Sequence, residues 1–332
     1  MTQRSSARPA VLVCRAVFPA ALERLEEHFD VTANQGDELW SQEELIERLQ
    51  GKQGAFTTGG ERIDAALLAR CPDLKICANM SVGYDNFDVP AMTAAGVLAT
   101  NAPGVLTETT ADLGFVLLMA AARRITESEH YLRAGRWDRW SWDMLTGQDI
   151  HGSTLGIVGM GRIGQAIARR GARGFDMQVV YHNRTRLPES TEQALGARYL
   201  GLDDLLRSAD HVVLVVPYAA ESRHLIGADQ LALMKPTATL VNIGRGGVVD
   251  DAALARALQE GRLAAAGLDV FEGEPRVHPD LLACTNVVLT PHIGSASVPT
   301  RKAMINLACD NLIGWLTEGK VHTPINPEVA RP

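Results

Sequence analysis

The chain has no C-x-x-C pair, no apolar run long enough to span a bilayer, no block of Lys or Arg, and no histidines at metal-ligand spacing. Each absence removes a class of function. The cysteines are Cys14, Cys71, Cys77, Cys284 and Cys309, an odd number without pairing pattern. They therefore read as thiols of a reducing compartment rather than a disulfide framework. The stretch from Met1 to Ala16 is only briefly apolar and is interrupted by Arg15, which is no signal peptide. A soluble, cytoplasmic protein without a membrane partner is expected. With 32 Lys+Arg against 39 Asp+Glu, the net charge of −7 suits neither nucleic acid nor anionic lipid. His151, His182, His211, His224 and His278 show neither H-x-x-x-H nor H-E-x-x-H spacing, so no metal is expected.

What remains is an ordinary globular composition, 46% hydrophobic and 21% charged, over 332 residues, which suggests two domains. Short β-branched runs alternate with helical patterns. Strands are expected at Val11–Val13, Gly54–Thr57, Leu74–Asn79 and Val97–Thr100. Helices are expected at Ala21–Phe29, from the Ser41/Glu44 capping box to Gln50, and at Ala65–Arg70. A long apolar helix from Thr107 to Arg123, followed by an arm holding Trp137, Trp140 and Trp142, breaks the rhythm. It resumes with strands at Leu155–Gly159, Gln178–His182, His211–Val216, Thr239–Ile243, Ala265–Val270 and Val287–Thr290. Helices lie between them, including Ile163–Arg173 and Ala252–Gln259, and a last one runs from Thr300 to Leu316, ending at Gly319. This is an α/β pattern of two doubly wound parallel-sheet units.

Gly159-Met160-Gly161-Arg162-Ile163-Gly164 follows the strand that ends at Val158 and opens a helix. The first glycine allows the tight turn and the second lets backbone approach a pyrophosphate. The third lets helix pack on strand, with Arg162 and Ile163 at the helix N-terminus. One more absence then decides which dinucleotide fits. The next strand ends in Asn183-Arg184-Thr185-Arg186, where an NAD enzyme carries an acid for the ribose hydroxyls. Without that charge, and with two guanidinium groups beside the site, NADP(H) is expected over NAD(H), which remains a weaker alternative.

Downstream, Val241–Gly247 carries Arg245, Gly267–Pro275 carries Asp269 and Glu274, and Thr290–Gly294 carries His292. Each segment lies just past a predicted strand end, the edge where open α/β sheets bind ligands. Singly, Arg245 reads equally as a surface ion pair, Glu274 as a turn residue before Pro275, and His292 as a satisfied loop histidine. Together they suit carbonyl reduction. Arginine clamps a carboxylate, histidine donates a proton, and a glutamate beside it favours the imidazolium.

The residues resemble those of the D-isomer-specific 2-hydroxyacid dehydrogenases over essentially the full chain, and most resemble the glyoxylate/hydroxypyruvate and 2-ketogluconate reductases of that family. The matching stretches are Ser81–Asn86, Thr100–Gly104, Thr109–Gly114, the glycine turn, Val215–Pro217, Asn242–Gly247, Gly267–Pro275 and Pro291–Ser295. The resemblance implies Arg245, Glu274 and His292 as the catalytic set. Val82, Gly83, Arg245, His292 and Ser295 would meet a small 2-keto acid. Thr109, Pro217, Ile243, Gly244, Asp269 and Gly294 would join Gly159, Gly161, Arg162, Ile163, Gly164 and Asn183–Arg186 around the cofactor. It further implies a discontinuous substrate domain, 1–103 with 297–332, around a dinucleotide-binding domain, 104–296, and a homodimer formed through about 107–151. The rival readings are an NAD-linked dehydrogenase of another substrate and a nucleotide-sensing regulator on the same fold.

Overall fold

Residues 8–330 are described by a computed structural model. Residues 1–7 of the N-terminal stretch read above, and the last two of the segment ending at 332, lie outside them. Contacts divide the chain into two compact units: one runs to Leu106 and resumes at Ser297, and the other is Thr107–Ala296.

The first unit is built on five strands: β1 Ala10–Val13, β2 Asp30–Ala33, β3 Gly54–Thr57, β4 Ile76–Asn79 and β5 Leu98–Thr100. They lie parallel in the order β2-β1-β3-β4-β5. Strands β3, β4 and β5 are buried at every residue, as expected of strands covered by helices on both faces. The capping box forms as the sequence indicated: Ser41 Oγ accepts from the Glu44 N–H at 3.3 Å, and Glu44 Oε2 accepts from the Ser41 N–H at 2.8 Å. The helix Val298–Ile313 returns to this sheet, and Leu312 packs 3.0 Å from where a Cβ on Gly54 would stand. Its start is capped by Ser297, and the turns beyond it end at Gly319 with φ +68°. Asn326 then fastens the chain end to β5, accepting from the Ala99 N–H and donating to the Val97 carbonyl.

The second unit carries seven parallel strands: β6 Thr154–Val158, β7 Gln178–His182, β8 Ala197–Tyr199, β9 His211–Leu214, β10 Thr239–Asn242, β11 Ala265–Leu268 and β12 Val287–Leu289. Their order is β12-β11-β10-β9-β6-β7-β8. The chain therefore winds outward from β6 in one direction and, from β9, in the other, leaving the switch point between β6 and β9. Alternating side chains feed two cores: Leu155, Ile157, Val179 and Tyr181 on one face, Val158, Val180, Val212 and Leu214 on the other. A fully buried Leu or Ile in such a core contributes about 1.5–3 kcal/mol.

Two expectations change here. The long helix stops at Ala122, within one residue of the expected Arg123, but after a left-handed Arg124 at φ +52° a second helix that was not expected covers Ile125–Arg133. Strands β2 and β8 were absent from the sequence reading, and both are sheet edges.

Candidate active site

The turn after β6 lies at the switch point, and its three glycines have three separate reasons. Gly159 has φ +101°, and a Cβ there would stand 2.7 Å from the Val215 carbonyl oxygen. At Gly164 a Cβ would stand 2.3 Å from the Gly159 carbonyl oxygen, so the helix Arg162–Gly174 packs directly on the turn. At Gly161 a Cβ would meet nothing within 4 Å. Protein packing does not require glycine there; an approaching ligand does. The first N–H groups of the helix have no intrahelical partner, which suits a pyrophosphate. These residues fit a dinucleotide.

Beyond β7, Asn183 Oδ1 accepts from the Met160 N–H at 2.7 Å, fastening the turn to the 183–186 segment. Arg184 is exposed and makes no hydrogen bond or ion pair among the described residues. Arg186, expected to act beside it, is engaged elsewhere. Its Nε and terminal nitrogen donate to Glu192 at 2.8 and 2.7 Å. Glu192 also accepts from the buried Tyr181 hydroxyl at 2.5 Å. The bonds from Arg186 and Tyr181 hold the Glu192 carboxyl down to about 2.

The loops after β10, β11 and β12 carry the other candidates. Asn242 spans its own loop: its side chain accepts from the Gly244 N–H and donates to the Arg245 carbonyl. Gly246 lets this loop touch the next one, since a Cβ there would stand 1.7 Å from the Phe271 carbonyl oxygen. Phe271 in turn donates its N–H to Glu274 Oε1 at 2.9 Å. The other carboxylate oxygen of Glu274 lies 2.8 Å from His292 Nδ1. Burial works against ionising Glu274, but the bonds from His292 and Phe271, with the charges of His292 and Arg245, hold its carboxyl below its usual range. An ionised carboxylate only accepts, so Nδ1 carries the hydrogen and Nε2 is left for chemistry.

His292 has φ +52°, a backbone state costing on the order of 1 kcal/mol for a non-glycine residue. Asp269 holds it there. The Asp269 carbonyl accepts from the His292 N–H at 2.9 Å, and its carboxylate accepts from Ile293 N–H, Gly294 N–H and Thr290 Oγ1 at 2.8, 2.8 and 2.6 Å. Burial raises the Asp269 carboxyl despite these bonds. Asp269, expected around the cofactor, anchors the loop of the histidine. Pro217 is exposed, Ile243 and Gly244 are buried, Ser295 is half-buried, and Thr109 lies half-buried on the helix Thr107–Ala122.

Val82 and Gly83 belong to the first unit, in the loop after β4. Asn101 donates to the Val82 carbonyl at 2.7 Å and Asn79 to the Gly83 carbonyl at 3.3 Å, while Asn86 ties the loop to Thr58 and Glu61. Asn79, Asn101, Asn242 and Glu192 were missed as supports. Asn79, Asn101 and Asn242 each stand at or beside a strand end, which was the available signal.

A parallel sheet with a phosphate-type turn at its switch point, and Arg, Glu and His on successive loops, defines a nucleotide-linked oxidoreductase. Comparison with known proteins places the chain more narrowly: it belongs to the D-isomer specific 2-hydroxyacid dehydrogenases, whose NAD binding domain matches residues 115–294. A glyoxylate reductase of Thermococcus onnurineus is 48% identical over 326 residues, covering 97% of each chain. The NADPH-dependent glyoxylate/hydroxypyruvate reductase of Sinorhizobium meliloti, solved with NADP and malonate, is 39% identical. It covers 96% of this chain and 97% of that one with a TM-score of 0.86. A glyoxylate reductase from Paecilomyes thermophila is 33% identical with a TM-score of 0.87, covering 97% of this chain and 100% of that one.

Proposed function

We propose that the protein is an NADPH-preferring reductase of small 2-keto acids, glyoxylate and hydroxypyruvate first, with 2-ketogluconate as a further candidate. The observation that carries the reading is the 2.8 Å contact between His292 Nδ1 and Glu274, beside the charge of Arg245. A nicotinamide dinucleotide bound on the glycine turn supplies the hydride for the carbonyl carbon. Arg245 receives the substrate carboxylate and polarises the adjacent carbonyl. Ser295, three residues after His292 in the same unit, adds a substrate contact. His292 Nε2 gives its proton to the developing alkoxide, and Glu274 stabilises the imidazolium beforehand. The product is the 2-hydroxy acid and a neutral imidazole, which takes up a proton before the next turnover.

The cofactor preference is supported by Arg184 and by the absence of an acid at Asn183. The names of the relatives, which are glyoxylate reductases, support the substrate class. A homodimer is proposed through the helix Thr107–Ala122 and the arm after it, where Val116, Ile125, Leu132, Trp137, Trp140 and Trp142 are exposed. The free state of all five cysteines supports a cytoplasmic location.

The test is oxidation of NADPH and NADH in parallel with glyoxylate, hydroxypyruvate and 2-ketogluconate. Faster turnover with NADPH on glyoxylate or hydroxypyruvate is expected. Equal use of NADH would remove the cofactor preference, and silence with all three acids would remove the substrate class.

A further inference from the structure

Arg184 and Arg186 look equivalent in the sequence, and the structure separates them. Arg186 grips Glu192 through two parallel donors, at 2.8 and 2.7 Å, the bidentate geometry of a strong arginine–carboxylate pair. With the guanidinium over it, the Glu192 side chain is only 7% exposed, while that of Arg186 is 62% exposed. Its third bond comes from Tyr181, which is fully buried and whose hydroxyl also accepts from the Leu187 N–H at 2.9 Å. The network therefore closes the segment from Tyr181 to Glu192 on itself. If Arg186 swung toward a phosphate, Glu192 would lose both of its charge-assisted bonds from the guanidinium and keep only the one from Tyr181. While the pair stays together, opposite charges under 3 Å apart nearly cancel for anything approaching from outside. Arg184 carries neither restraint, being exposed and unpaired among the described residues.

We propose that Glu192 is a cofactor-specificity residue: by holding Arg186 it withdraws that guanidinium from nucleotide recognition and leaves the ribose 2′-phosphate to Arg184 alone. The proposal rests on the NADP reading above and refines it. In this division, Arg186 is a positioning residue that shapes the loop, Arg184 is the ligand, and Glu192 limits how strongly the site favours a 2′-phosphorylated nucleotide. With one of the two arginines withheld in this way, the site keeps some tolerance for NADH.

The test uses the adenosine halves of the two cofactors as calorimetric probes, so no turnover is needed. The quantity read is the ratio of the Kd for 5′-AMP to the Kd for 2′,5′-ADP, measured for wild type, R184Q, R186Q, E192Q and the R186Q/E192Q pair. In wild type the ratio is expected to be at least about 10, and R184Q should bring it close to one, since a charge-assisted bond to phosphate is worth about 10- to 100-fold. R186Q leaves the Glu192 charge unpaired and should lower the ratio a few fold, whereas R186Q/E192Q removes both charges and should leave it within about twofold of wild type. E192Q should raise it about three- to tenfold by freeing Arg186, and the double variant should lose that rise. Any general damage to the loop weakens both probes alike and leaves the ratio unmoved. Collapse of the ratio in R186Q/E192Q would overturn the inference, as would an E192Q ratio equal to wild type. A wild-type ratio near one would instead defeat the NADP reading. In that case, a ratio that rises in E192Q still supports the role of Glu192, and one that does not rejects it.

Discussion

Two carboxylates in the second unit each hold a nitrogen base at nearly the same distance, and they do opposite things. Glu274 meets His292 at 2.8 Å, and Glu192 meets Arg186 at 2.7 and 2.8 Å. The histidine is 49% exposed, and its second ring nitrogen is not part of the contact. Its carboxylate partner spends the other oxygen on the Phe271 backbone. The result is a fixed ring with one working atom. Glu192 instead ties the exposed Arg186 to the buried Tyr181, and a guanidinium does not release a proton near neutral pH. The difference lies in where the second functional atom of the base points and in whether the acid can tolerate losing its partner. The first pair suits proton transfer. The second suits only shape.

Substitutions at the two pairs sharpen this contrast. Apart from loss of His292 itself, the largest effect is expected from Arg245→Gln, which removes the carboxylate clamp beside the first pair. Its kcat/KM for glyoxylate should fall about 10²- to 10³-fold, read from initial rates, with 2′,5′-ADP binding retained. Next comes Glu274→Gln, with a fall of about 10²-fold that reflects loss of the charge facing Nδ1. The pH profile gives the sign. Because the Glu274 carboxyl is held below its usual range, its ionised form persists below pH 4.5 and is lost only as pH falls through its lowered value. The acid limb of the wild-type rate due to this group should therefore lie below pH 4.5, a value recovered by extrapolation if the protein precipitates there.

The glycine turn allows a comparison of another kind. Gly159→Ala meets both a left-handed backbone and a carbonyl at 2.7 Å, so it should cost about 1–3 kcal/mol in chemical denaturation. Gly161→Ala enters open space and should leave the melt unchanged while weakening nucleotide binding. An unchanged nucleotide Kd in Gly161→Ala would break the assignment of that turn. The smallest effect is expected from Glu192→Gln on stability. Glu192 titrates at about 2 rather than 4.5, so its stabilisation is present above pH 4.5 and disappears as pH falls toward 2. Wild type should melt higher than the variant at pH 7, and the gap should narrow by pH 3.

The chemistry-bearing loops were legible because they sit at strand ends, where short β-branched runs give way to glycine. The turn at 159–164, Arg245, Glu274 and His292 could each be placed that way. The two strands that escaped, β2 and β8, are sheet edges: Asp30-Val-Thr-Ala and Ala197-Arg-Tyr carry polar residues because one flank has no neighbour, and no apolar run marks them. The helix Ile125–Arg133 escaped because it starts after a left-handed arginine and no side chain caps it. The commitment of Arg186 to Glu192 depends on the short helix Glu189–Leu195, whose start carries no side-chain cap. Two arginines two residues apart look alike until the chain folds and one of them meets a buried acid.

The central claim is that a histidine fixed by a carboxylate protonates the product of a hydride transfer. The most direct measurement is the NADPH-dependent rate of glyoxylate reduction by wild type and by His292→Ala, with binding of 2′,5′-ADP measured on the same preparations. The account expects turnover in wild type, a loss of about 10³-fold in the variant, and unchanged nucleotide binding. A variant that binds 2′,5′-ADP normally and still reduces glyoxylate at the wild-type rate would contradict it.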